Sequence, residues 1–149
     1  MIKAHTVLLG SAAAFALSAC ATVEENVVEK IAETYKAELT GANEPGGGDA
    51  DGYGAAEISV SDDLDQICWD LNGVRGIGPI TGAHTHKGLP GVNGPVVLTL
   101  KPANEGGIKG CTSSSEWKED ALKDNFRSFY VNVHTAQYPN GAIRGQLHQ

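Results

Sequence analysis

From Thr34 onward the chain breaks into short stretches in which β-branched, aromatic and aliphatic residues alternate with polar ones, separated by clusters of Gly, Pro, Asn and Asp. A period of two sends successive side chains to opposite faces of a strand, and Gly and Pro at such density end one. Strands are predicted at Tyr35 to Leu39, Gly54 to Val60, Gln66 to Leu71, Gly82 to His86, Pro95 to Leu100, Ser128 to His134 and Ala142 to His148. The segments Glu44 to Asp49 and Gly88 to Gly94 read as loops. One helix is predicted at Glu116 to Asp124, with Ser113, Ser114 and Ser115 as cap candidates and Trp117, Ala121 and Leu122 on one side. Short strands separated by turn signals make the fold class all-β, an antiparallel β-sandwich or Greek-key barrel with one short helix. No repeat of 20 to 50 residues is visible, which argues against a propeller or solenoid.

The N-terminal pattern differs. A short basic start, Met1 to His5, precedes the apolar run Thr6 to Leu17 and then Leu17-Ser18-Ala19-Cys20. That run is too short for a bilayer core of roughly 30 Å, and small residues follow it, as in a secretory signal peptide spanning residues 1–19. Leu-Ser-Ala-Cys resembles the bacterial lipobox, which implies lipidation at Cys20 and a membrane anchor through acyl chains, not through a spanning helix. Ala21 in the following position implies, by resemblance to the usual sorting pattern, the outer membrane, facing the periplasm or the cell surface. Residues 20–33 carry Glu24, Glu25, Glu29 and Glu33 around Val23, Val27, Val28 and Ile31, a weak helical spacing that reads as a tether to a domain at 34–149.

Composition narrows the picture. At 149 residues, 41% hydrophobic and 19% charged, the chain has room for one globular core. The formal charge of -7 leaves no basic patch for nucleic acid, and the field favours cations. With Cys20 assigned to lipid, Cys68 and Cys111 remain as an even pair in an exported chain, so a disulfide is expected between them.

The segments Tyr35 to Glu44, Gly82 to Gly88, Tyr130 to Thr135 and Pro139 to Leu147, in this order, resemble the chordin-type (CHRD) domain family. The resemblance implies a sandwich of immunoglobulin-like or superoxide-dismutase-like character, found in chordin and in many bacterial exported proteins, and it spans Tyr35 to Leu147. After Glu44, where the family usually has a Val-Pro segment, this chain has Pro45 and three glycines.

Within these motifs His84 and His86, two apart, share one strand face. The same period puts Phe129, Val131 and Val133 on the core face and Tyr130, Asn132 and His134 on the other. Should the two strands be neighbours, His84, His86 and His134 form a nitrogen-rich site suited to copper or zinc. The plainer alternative has the same histidines hydrogen-bonding backbone near the Gly-rich loop, with Asn132, Thr135 and Arg144 in the network. His148, next to the C-terminus, is left out of the metal set. The pattern is similar to a copper-site His-x-His pair of Cu/Zn superoxide dismutase, but no histidine lies between His86 and His134 to supply the bridging and zinc ligands.

Arg144 is either a fork tying loop carbonyls or a carboxylate, or a charge that attracts an anion. Trp69 reads as core packing against the disulfide rather than as a sugar platform. Ser113 to Ser115 lack the nucleophile-elbow glycines of a hydrolase, and the pairs Asp62-Asp63 and Asp49 with Asp51 read as turn formers. Together these features favour a non-catalytic, envelope-anchored module that binds a metal ion, copper foremost, or an envelope protein partner. The rivals are a copper-only dismutase-like oxidoreductase and a structural or adhesive domain that uses the Lys87 to Pro95 loop.

Overall fold

The computed structural model describes residues 32–101, 108–113 and 116–149. The segment expected to be a signal peptide, Cys20 and almost all of the expected tether lie outside these residues, as do Ser114, Ser115 and the side chain of Trp117.

The strands are β1 (Glu33–Thr40), β2 (Tyr53–Ser61), β3 (Gln66–Arg75), β4 (Ile80–Lys87), β5 (Val96–Thr99), β6 (Ile108–Ser113), β7 (Phe129–Thr135) and β8 (Ile143–Gln146). Helix α1 (Glu116–Asn125) enters before β7, and 3-10 turns follow β1 at Gly41–Asn43 and α1 at Phe126–Ser128. All strand pairs are antiparallel, and the order β5-β4-β7-β8-β1-β2-β3-β6 makes one sheet that curls into a half-barrel. All seven expected strands and the helix are present. β6 is the addition, and Ser113 ends it instead of capping α1.

The concave face holds the core. Tyr35, Ala37 and Leu39 of β1, Ala56, Ile58 and Val60 of β2, Ile67, Trp69 and Leu71 of β3, and Phe129, Val131 and Val133 of β7 alternate inward. Leu122 of α1 closes this core from one end, and Phe126 stacks on Tyr35 at 4.9 Å. Lys123 of the same helix pairs with Asp62 in the β2–β3 turn. The turn role of the aspartates holds: Asp65 sits at φ 48 with its N–H on Asp62 O, and Asp49 Oδ1 accepts from Asp51 N–H.

Cys68 and Cys111 face each other across β3 and β6 and are joined by the expected disulfide. Trp69, one residue on, must point the opposite way. It packs inward over Gly110, where a Cβ would come within 2.9 Å of the indole ring, and not against the disulfide. The Trp69 indole N–H donates to Lys101 O after β5, which links the two ends of the curl.

Among the described strands, β7 departs from a half-solvated pattern. Its core-face residues are buried as expected, but Tyr130 and Asn132 on the opposite face are buried too, at 2% and 3% exposure. The loop after β4 folds back over that convex face and covers it. Two-sided burial is the feature that builds the site.

Candidate metal centre

The pairing of β4 with β7 sets His84 opposite Asn132 and His86 opposite Tyr130, while Gly82 lies opposite His134. His84, His86 and His134 therefore meet on the convex face, and one ring nitrogen from each lies within 4.8 Å of the others. Among the described residues this is the group of side chains able to hold a metal ion.

The hydrogen bonds decide which nitrogens are available. His86 Nδ1 lies 2.8 Å from Gly94 O, and His134 Nδ1 lies 3.0 Å from Pro139 O. A carbonyl can only accept, so both rings carry their proton on Nδ1 and present an Nε2 lone pair. His86 Nε2 is buried and has no hydrogen-bond partner. His134 Nε2 lies 3.0 Å from His84 Nδ1, which must then be the donor. Two rings are thus oriented by backbone carbonyls while their lone pairs converge, an arrangement common around histidine-bound metals. At metal–nitrogen distances near 2.0–2.1 Å, tetrahedral ligands stand roughly 3.3 Å apart, so the cluster would have to contract to seat an ion. To serve as a ligand through Nδ1, His84 would have to carry its ring proton on Nε2 and give up its hydrogen bond to His134.

Burial disfavours a positive charge on two of the imidazoles, His84 and His134. Burial lowers the pKa of His84, and the nearby His134 and His86 lower it further. Burial also lowers that of His134, with His86 acting in the same direction and the Pro139 carbonyl opposing. A histidine whose folded pKa lies below the ordinary value of about 6.5 contributes stability that is present above that value and is lost as pH falls through it. The carboxyl of Glu44 is shifted upward by burial and would act in the opposite sense, so the clean measurement uses Glu44→Gln. In that background the metal-free domain is expected to melt at progressively lower temperature from pH 7.5 to pH 5.5. The slope should vanish when His84 and His134 are both replaced by alanine. An unchanged slope in that variant would locate the titration elsewhere.

The support around the rings is layered. The Tyr130 ring stacks on His86 at 4.8 Å and 6°, and the Arg144 guanidinium covers the other face of Tyr130 at 3.3 Å. Arg144, only 1% exposed, donates from Nη1 to Asn93 Oδ1 and from Nη2 to Leu89 O and Val92 O. Gln146 Nε2 donates to Gly88 O, and Gly94 N–H donates to the Tyr130 hydroxyl. The loop over residues 88–94 is thereby fixed, and with it the Gly94 carbonyl that orients His86. Gly94 has to be glycine, because a Cβ there would stand 1.7 Å from Lys87 O.

A family model for the CHRD domain matches residues 35–147. The chain belongs to the CHRD-domain family. Neither a curated protein nor a solved structure matches it.

In this CHRD domain the three histidines singled out in the sequence come together, and Arg144 is the structural fork that ties loop carbonyls. The anion-attracting reading is less favoured, since the guanidinium is buried and both its Nη atoms donate to the loop. His148 lies apart, in an isolated bridge with Lys36. The histidines also contact backbone, as in the plainer reading, and those same contacts leave nitrogen lone pairs facing one another.

Sequence reasoning did not find Glu44. It follows the turn after β1, is 7% exposed, and shares with His86, Asn132 and His134 a cleft of about 480 Å³ under the loop at residues 137–141. Its place at the end of the first family motif, just before the Gly-rich loop, was the available signal. The orienting carbonyls of Gly94 and Pro139 carry no sequence signal, because every residue has a carbonyl.

Proposed function

We propose that this CHRD domain is the exported part of a lipid-anchored envelope protein and binds one transition-metal ion, copper foremost, through His84 Nδ1, His86 Nε2 and His134 Nε2. The observation that carries this reading is the unpartnered, buried Nε2 of His86, held towards two further imidazole nitrogens by a hydrogen bond on the other side of its own ring. An all-imidazole set suits copper or zinc, and among divalent first-row ions copper binds a given nitrogen site most tightly. A structural role alone gives no reason to leave that lone pair empty, since a buried acceptor without a partner costs about 1–3 kcal/mol.

The role is binding rather than catalysis. Dismutase-like turnover calls for a cationic group that draws an anion to the metal, and the nearby guanidinium is committed to the loop. A second reading, docking of an envelope protein, is favoured by the same loop, which exposes Leu89 and Val92 at 59% and 54% beside Val96 at 51%. The membrane attachment itself rests on Cys20. A Cys20→Ser chain should lose acylation and fractionate as soluble, and membrane retention of that variant would sink the anchor.

The test of the metal reading is a chelator-competition titration of Cu(I), Cu(II) and Zn(II) into the domain lacking residues 1–20. One equivalent of copper should bind. His84→Ala, His86→Ala and His134→Ala should each weaken binding by more than about 100-fold, beyond the 10–100-fold typical of losing an outer-shell partner. A folded, disulfide-bonded domain that takes up no metal, or that binds equally well in all three variants, would overturn it.

A further inference from the structure

Three buried acceptor atoms around the cleft have no hydrogen-bond partner: His86 Nε2, Glu44 Oε1 and Asn132 Oδ1. Their residues are 9%, 7% and 3% exposed, and all three line the same cavity, together with Tyr130 and Tyr138. Asn132 sits at the centre, opposite His84 on β4 and opposite Arg144 on β8, two residues from His134 along β7. Its side chain also hydrogen-bonds the Glu44 carboxyl, so Glu44 and the histidine face form one continuous wall.

Buried polar atoms in native proteins nearly always find partners, and three of one kind around one cavity indicate what the cavity takes. Every orphan is an acceptor. The complementary ligand is therefore a donor. Arg144 lies near enough to lower the pKa of Glu44, but its Nη atoms donate to Asn93, Leu89 and Val92, and Glu44 Oε1 stays without a hydrogen bond.

We propose that the cleft bounded by Glu44, Asn132 and His86 binds the primary ammonium group of a small organic molecule. An ammonium carries three N–H donors and no acceptor, which matches the orphans in number and polarity. Glu44 supplies the counter-charge. The rings of Tyr130 and Tyr138 form walls against which a cation is stabilised, and the volume of about 480 Å³ leaves room for an organic tail. The formal charge of -7 adds a weak general attraction for cations. This inference goes beyond the metal reading and does not depend on it: the ammonium uses the metal-free cleft, and an ion on His86 would compete with it.

The experiment uses metal-free protein with n-butylammonium as probe, tetramethylammonium as a cation without N–H donors and azide as an anion. The Glu44 carboxyl carbon and the Asn132 side-chain amide are followed by NMR at pH 7. Butylammonium should move both signals saturably, tetramethylammonium should bind about tenfold more weakly or worse, and azide should leave them unmoved. Glu44→Gln should weaken butylammonium binding by about tenfold, while Asn132→Asp, which adds a carboxylate and serves if Glu44→Gln does not fold, should strengthen it. Equal binding of the two cations, saturable binding of azide, or no saturable response would overturn the proposal. So would a Glu44 resonance of the neutral acid indifferent to butylammonium, since Glu44 Oε1 and Asn132 Oδ1 would then share a proton and need no ligand. Metal titration of the same sample separates failure here from failure of the metal reading.

Discussion

Arg144→Met is expected to destabilise the metal-free domain by about 1–3 kcal/mol for each acceptor that stays buried without its donor. The methionine roughly fills the space, so the effect comes from what is left behind. Leu89 O, Val92 O and Asn93 Oδ1 lose the donors that lie 3.1, 2.9 and 3.2 Å away, and Tyr130 loses the cation on its face. Two of these acceptors are main-chain carbonyls of one loop, which then has less to hold it over β7 and β8. Gly94 O and the ring beneath His86 shift with it, so metal affinity should fall by about 10–100-fold, as for an outer-shell partner. Chemical denaturation measures the first effect and competition titration the second. A loss under about 1 kcal/mol would mean that the loop is held by Gln146 and Tyr130 alone.

Removing the disulfide should have an effect of similar size at the other end of the sheet. The Cys68→Ala/Cys111→Ala double variant is expected to lose on the order of 4 kcal/mol, the chain-entropy value for a loop closed between residues 43 apart. β6 is an edge strand, paired with β3 alone, so without the cross-link it should be the first element to open. Hydrogen exchange would then show amide protection falling in residues 108–113 first, with β7 and β8 following only at global unfolding. Uniform loss of protection would show that the bond acts on the whole sheet through the unfolded chain. The histidine cluster lies on β4 and β7, away from β6 in the strand order, so metal affinity should be unchanged.

Much of the fold was legible along the chain, and the exceptions have identifiable causes. Alternation located β1 to β5, β7 and β8, because each buries one face regularly enough to show the period. β6, Ile-Lys-Gly-Cys-Thr-Ser, escaped notice because Gly110, a poor strand former, occupies the inward position that the Trp69 ring overlies. Trp69 itself was assigned to the right layer and the wrong neighbour. Adjacency to Cys68 in sequence places it on the opposite face in a strand, so the ring and the sulfur cannot meet.

What the sequence by itself determined is seven of the eight described strands, the family and the pairing of Cys68 with Cys111, together with the sharing of one strand face by His84 and His86. These follow from local periodicity, from motif order and from residue types that admit few roles. Only the tertiary structure decided that β4 lies beside β7, which brings His134 to the other two histidines across 50 residues of chain. It also decided that the second face of β7 is buried beneath a loop clamped by Arg144, that Gly94 and Pro139 carbonyls turn two imidazole lone pairs inward, and that Glu44 joins them. Those outcomes depend on strand order, on the path of the covering loops and on backbone groups that every residue possesses, and none of these leaves a period or a residue signature in the chain.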